Sequence, residues 1–178
     1  MAHYPELTNY LRRVKDGLAD GEWTRVVGYL TNVWIDDYAA RSKSADIVET
    51  TTSGFSYLFD IPSGRLLAAY GVSHGRHGGK RDASRMAGHP LSDGPLYHRG
   101  HAIPHTLGGP TDINLVPQLG AINIGPFRQL EKRAVATPGA FYFTYWIYPR
   151  GVSQRPTSVD QGLLIPGQSP QITPHVNE

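Results

Sequence analysis

The chain contains no cysteine. Disulfides and thiolate-held metals are therefore excluded, a composition compatible with a reducing compartment without requiring one. Long apolar runs are missing too: none approaches the ~20 residues that a helix needs to cross a bilayer. The first residues, MAHYPELTNYLRR, lack the apolar core of a signal peptide. The expectation is a chain that neither spans nor docks on a membrane and that acts in the cytoplasm. Net charge is equally scarce, since 17 Lys and Arg stand against 15 Asp and Glu, for +2. That is too little to establish a polyanionic partner, although basic residues could still cluster locally. Internal repeats and heptads are also lacking.

What remains is enough for one hydrophobic core. The 178 residues are 39% hydrophobic and 10% aromatic, which suits a single folded domain. The expected organisation is one domain over 1–178, with a helical extension at 1–44, a core at 45–150 and a loop-rich tail at 151–178. Residues 4–19 predict an amphipathic helix with Leu7, Tyr10, Leu11, Val14 and Leu18 on one side. Asp20-Gly21 breaks it and can cap a second helix from Glu22 to Tyr38. Its apolar stripe of Trp23, Val26, Val27, Leu30, Val33, Trp34 and Tyr38 reads as core or subunit packing, so a homodimer stays open. From Ala45 the period changes. Ile47 to Thr52 is rich in β-branched residues, and Phe55–Asp60 and Arg65–Val72 flank a turn, as in a hairpin. Ala140 to Tyr148 is apolar throughout and fits a strand buried on both faces. Short edge strands around Gly162 to Ile165 and loose last residues complete an α+β reading: two N-terminal helices beside an antiparallel sheet.

The segment from Gly71 to Gly94 is long, glycine-rich and basic, with Arg76, Lys80, Arg81 and Arg85. Loops of that length are commonly functional or disordered, so it is either a solvated surface loop or one that contacts an anion.

The densest chemistry lies in YHRGHAIPHTLGGPTDINLVPQLGAINIGPFRQLEKR, Tyr97 to Arg133. Arg99-Gly100-His101 ends an extended segment, with Gly100 allowing close approach to whatever His101 faces. Leu107-Gly108-Gly109-Pro110 is a turn or loop. Asn114-Leu115-Val116-Pro117 returns to the core, and a helix is expected from Asn123 to about Ala136, with Pro126 tolerated in its first turn. On that helix Asn123, Phe127 and Glu131 would share a face. One imidazole, one amide oxygen and one carboxylate suit a hard cation such as Mg²⁺. Each residue has a plainer reading: His101 a satisfied loop histidine, Asn114 an Asx turn, Asn123 an N-cap, Glu131 a solvated helix residue. His98, His101 and His105 could form a zinc site only with a fourth ligand that the spacing does not supply.

These residues resemble the DNA/RNA non-specific endonucleases, a branch of the His-Me finger (ββα-metal) nucleases. That family carries Asp-Arg-Gly-His, then Asn-x-x-Pro-Gln, then Asn-x-Gly-x-(Trp or Phe)-x-x-Leu-Glu. Here the corresponding stretches are His98-Arg99-Gly100-His101, Asn114-Leu115-Val116-Pro117-Gln118 and Asn123-Ile124-Gly125-Pro126-Phe127-Arg128-Gln129-Leu130-Glu131. They span about a fifth of the chain, with a weaker echo from the Gly54 region to Arg155-Pro156. His98 stands where the family carries Asp.

The resemblance implies a ββα-metal site and a metal-dependent endonuclease that hydrolyses DNA and/or RNA without sequence preference. It implies His101 as general base, Asn114 as a residue that holds the site in place, and Asn123 as the ligand of Mg²⁺ or Mn²⁺. Glu131 would hold a water on that metal, and an upstream arginine, with the preference on Arg81, would share the transition-state charge. It also implies the roles such nucleases play, as toxin domains restrained by an immunity or inhibitor protein or as secreted scavengers. An HNH endonuclease is the nearest rival, although there the residue before the catalytic histidine is usually a metal-binding Asp, and here it is Gly100. A nucleic-acid- or partner-binding module that has lost catalysis is the rival from another class.

Overall fold

Near the N-terminus of the computed structural model, helix forms over only five residues, Leu7–Leu11 (α1), not from 4 to 19. Local polar bonds capture the backbone that would have continued it. The Lys15 N–H donates to Glu22, the Leu18 N–H to Asp16, and the Trp23 indole N–H to the Gly17 carbonyl. Asp and similar side chains compete with a helix in this way. Val14 still reaches the core, but Leu18 is exposed. The structure describes residues 1–42, 45–79 and 94–178.

The second helix, Thr24–Ala39 (α2), is close to the expected one. Its N-cap does not fall at Asp20-Gly21. A 3₁₀ turn, Asp20–Trp23, leads in, and the capping residue is Trp23, with no side-chain cap bond. Val26, Leu30, Trp34 and Tyr38 form the buried stripe.

Among the described residues six antiparallel strands make the main sheet: β1 (Ile47–Thr52), β2 (Phe55–Asp60), β3 (Arg65–Val72), β6 (Phe141–Ile147), β7 (Ser158–Leu164) and β8 (Gln171–Val176), in the order β1-β2-β3-β6-β7-β8. The hairpin of β2 and β3 forms as expected. The tail differs from its loop-rich reading. β7 is a fully paired inner strand, β8 is the edge, and His175 and Asn177 near the end are buried. Gly and Pro in that stretch mark the turn between two strands rather than the absence of strands.

β6 explains its own composition. Trp23 stacks on Phe141, and Trp34 packs on Phe143 and Tyr145, all from one face of the strand. On the other face, Tyr142, Thr144 and Trp146 meet Gln161, the Ala102 carbonyl and Phe127. Alternate side chains of a strand point to opposite faces, so this one must be apolar on both. α2 thus covers one face of the sheet, and a second unit covers the other.

That unit is a two-stranded antiparallel ribbon, β4 (Tyr97–His101) and β5 (Leu115–Leu119), followed by helices α3 (Gly120–Ile124) and α4 (Phe127–Ala136). The fold is therefore α+β, with a ββα unit packed on an antiparallel sheet. Among the described residues no helix is long and apolar enough to cross a membrane.

The ββα unit is tied to the sheet by polar groups. Asn177 donates from its amide to the Pro117 and Pro156 carbonyls and accepts from the Leu119 N–H. Beneath α4, Gln161 donates to the Phe127 carbonyl and the Tyr142 hydroxyl. Its carbonyl oxygen therefore accepts from His175 at 3.0 Å, which makes Nε2 the protonated nitrogen of that imidazole. Burial lowers the His175 pKa below its ordinary 6.5. The unfolded chain then binds the proton more readily than the folded one, so stability is full above about pH 6.5 and falls as the pH drops below it. Urea unfolding from pH 7.5 to 5 is expected to show that loss in the parent protein and a smaller one in His175→Gln.

Candidate active site

His101 is the last residue of β4, and the backbone of the next two residues sets its position. The Ala102 N–H donates to the Asn114 carbonyl, and the Ile103 N–H to the Asn114 side-chain oxygen at 2.6 Å. The Asn114 amide returns two bonds, to the carbonyls of Ile103 and Pro110. Asn114 is fully buried and clamps both ends of the loop that joins β4 to β5. Gly109 is required for that clamp, since a Cβ there would lie 1.9 Å from the Ile103 carbonyl oxygen and 2.6 Å from the Asn114 amide nitrogen.

Truncating Asn114 would strand the buried N–H and C=O of Ile103. With about 1–3 kcal/mol for each buried group left unpaired, Asn114→Ala is expected to lower unfolding stability by at least ~1–3 kcal/mol, read from the urea midpoint at constant slope.

Gly100 faces something other than expected. The close neighbour is the buried Gln118 side chain on β5, whose Oε1 would be 2.2 Å from a Cβ at position 100. The glycine is needed by the packing inside the ribbon.

The single helix expected from Asn123 to Ala136 is two helices. Gly125, at φ −102° and ψ −113°, leaves the helical region, and Pro126 opens α4 as its N-cap residue. Proline lacks the N–H that would continue the ladder. Asn123 therefore caps neither helix and does not share a helix face with Glu131, because the two belong to different helices. They meet nonetheless. A cavity of about 340 Å³ is lined by His101, Asn123 and Glu131 together with Arg76, His105, Arg128 and Lys132. His101 is 7% exposed at its wall, while Asn123 and Glu131 are half-buried.

Two cations of this cavity, Arg128 and Lys132, were not singled out from the sequence, and Arg76 was named only among the arginines of the basic segment. Arg128 and Lys132 sit four residues apart on the helix that carries Glu131, a spacing that could have been read. Arg76 arrives by tertiary bonds. The Ser73 N–H donates to the Ala140 carbonyl and the Ser73 hydroxyl to the Ala134 carbonyl. The His77 N–H then donates to the Thr106 carbonyl, so the segment between runs along the cavity. Arg81, the preferred upstream arginine, lies outside the described residues. Asn114 does not line the cavity and acts on it through the backbone after His101.

Around the site, the His105 Nε2 lies 3.1 Å from the Gly79 carbonyl oxygen, and its ring centroid is 6.5 Å from that of His101. Burial, with a smaller contribution from the Glu131 carboxylate, holds the Tyr142 phenol well above its ordinary pKa. Tyr142 therefore stays neutral behind Glu131. The His98 Nδ1 lies 3.4 Å from the Asn123 amide nitrogen. Among the described residues no three His, Asp or Glu side chains converge into a metal cluster. Beside its histidines the cavity offers one amide and one carboxylate, hard ligands of the kind that hold a hydrated divalent cation.

No protein-family model matches the chain, and no curated protein matches it. Solved structures share its fold. It is similar to NucA from Streptococcus agalactiae with no metal bound, at a TM-score of 0.50 and 14% identity over 75% of this chain and 71% of that one. It is similar to NucA from the same organism with a magnesium ion bound, at a TM-score of 0.50 and 13% identity over 74% of this chain and 83% of that one.

Proposed function

We propose that this chain is a metal-dependent nuclease that hydrolyses phosphodiester bonds of DNA and/or RNA without sequence preference. The observation that carries the reading is the cavity in which His101, Asn123 and Glu131 come together from three different elements, walled by Arg76, Arg128 and Lys132. An imidazole facing an amide and a carboxylate, with cations around them, suits an anionic substrate attacked by water. The fold shared with structures of a Streptococcus NucA adds to it.

In this reading the neutral His101 imidazole takes a proton from the attacking water. The water oxygen bonds to phosphorus as the bond to the leaving oxygen breaks. The Asn123 amide oxygen would hold Mg²⁺ or Mn²⁺, with Glu131 orienting its hydration. Bound there, the cation would stabilise charge that develops on the phosphate. Arg76 shares that charge, and Arg128 and Lys132 hold the flanking backbone. Such contacts go to phosphate rather than to base edges, so they carry no direct sequence information. The HNH alternative needs a metal-binding side chain at position 100. Any side chain there would have to displace Gln118, which favours the non-specific branch.

Plasmid nicking with and without EDTA tests the function. Relaxed and then linear DNA should form with Mg²⁺ or Mn²⁺ and stop on chelation. A protein that binds DNA or RNA but cleaves neither under any divalent cation would be a binding module instead.

A further inference from the structure

We propose that His98 is a metal ligand beside Asn123, and that the resulting nitrogen–oxygen pair makes this site prefer first-row transition ions, Mn²⁺, Co²⁺ or Ni²⁺, over Mg²⁺. The inference rests on the reading that Asn123 holds the cation and adds a second donor from this chain.

His98 leaves β4 on the strand face opposite to that of His101, because neighbouring residues alternate. That face meets the start of α3. The ring lies so close to Gly120 that a Cβ there would be 2.7 Å from Nε2, so the backbone turn into α3 positions the imidazole. Its other nitrogen, Nδ1, is the one that reaches Asn123, at 3.4 Å from the amide nitrogen. This contact pairs an amide N–H donor with an imidazole acceptor. The acceptor lone pair on Nδ1 is also the one that a metal would use.

The two ends of an asparagine amide exchange places on a half-turn with almost no change of outline. After that turn the Asn123 oxygen occupies the place of its nitrogen, and two lone-pair donors converge. The separation fits a shared cation. With metal–ligand bonds of about 2.1 Å, two neighbouring donors lie about 3.0 Å apart at a right angle and about 3.4 Å apart at a tetrahedral angle. The contact thus holds His98 and Asn123 at a spacing from which both would hold one cation.

The preference follows from donor chemistry. Mg²⁺ takes oxygen ligands and keeps most of its waters, so an imidazole adds little to its binding. Imidazole nitrogen raises the affinity for transition ions, in the order Mn²⁺ < Co²⁺ < Ni²⁺. An aspartate at position 98 would give the opposite bias.

The test is direct metal binding to the full chain, without substrate. Titration calorimetry with Mg²⁺, Mn²⁺, Co²⁺ and Ni²⁺, and the visible absorption of bound Co²⁺, would be compared for the parent, His98→Ala, His98→Asp, Asn123→Ala and His77→Ala. Thermal melts check that each variant is folded, which an exposed residue such as His98 should allow. The parent should bind Co²⁺ and Ni²⁺ at least tenfold more tightly than Mg²⁺. His98→Ala should lose tenfold or more in Co²⁺ and Ni²⁺ affinity and shift the Co²⁺ spectrum, with Mg²⁺ affinity changed less than about threefold. His98→Asp should move the preference back toward Mg²⁺, and His77→Ala should match the parent. A parent that binds Mg²⁺ as tightly as Ni²⁺, or a Co²⁺ spectrum lost in His77→Ala and kept in His98→Ala, would overturn the assignment. If Asn123→Ala weakens binding of every ion and His98→Ala of none, the second ligand is wrong and the proposed metal site stands. If neither substitution affects any ion, both readings fail.

Discussion

His101→Ala is expected to reduce phosphodiester cleavage by about 10²–10⁴-fold, the usual cost of removing a positioned general base. Binding should survive, because affinity for a nucleic acid comes mainly from cations on its phosphates, and Arg76, Arg128 and Lys132 line the same cavity. The informative comparison is with His105, which also lines the cavity but has its Nε2 against the Gly79 carbonyl. His105→Ala should keep activity within about tenfold of the parent if a single base supplies that factor. Single-turnover cleavage and filter binding, measured on both variants, separate rate from affinity. Loss of cleavage in His105→Ala with His101→Ala near the parent would reassign the base.

The second large effect is expected at Asn123. Asn123→Ala removes the amide oxygen proposed to hold the cation, and cleavage should fall below detection at ordinary Mg²⁺ or Mn²⁺ concentrations. Glu131→Ala should be milder, about 10–100-fold, since a carboxylate acting behind the ligand tunes affinity rather than creating it. Raising the metal concentration should recover Glu131→Ala in part and leave Asn123→Ala inactive. A metal titration of the nicking rate distinguishes the two. Equal recovery of both variants would mean that Asn123 is not the ligand. The Phe127 side chain between them in sequence has a different task. It is fully buried against Trp146 and His175, so its replacement would be read in stability, not in metal dependence.

Much of this architecture is legible in the chain. Turn residues bound β2 and β3, and the uniform apolarity of β6 announces a strand covered on both sides. The stripe of α2 is visible because a helix that packs on a sheet must repeat its apolar residues every three or four positions. The three motif segments are legible as well, because their chemistry lies in short runs of defined spacing.

The departures share a cause. α1 is shorter than its periodicity suggests because Lys15, Leu18 and Trp23 make bonds that compete with the helix, and those partners are not visible as periodicity. The end of the chain is more ordered than its composition suggests because β7 and β8 are held by pairing with distant strands, and Asn177 by carbonyls on β5 and before β7.

The residue types of the site, their order and the approximate ends of β4, β5 and α4 were decided by local sequence, through turn residues, a proline and apolar spacing. Where those residues stand relative to one another was decided only in the tertiary structure. Gly125 and Pro126 divide the helix, so the meeting of Asn123 with Glu131 depends on how α3 and α4 pack rather than on a helical repeat. Arg76 enters the cavity because Ser73 and His77 bond to segments far away in sequence, and His98 meets Asn123 because β5 turns back into α3 at Gly120. Such contacts join groups whose separation along the chain bears no fixed relation to their separation in space.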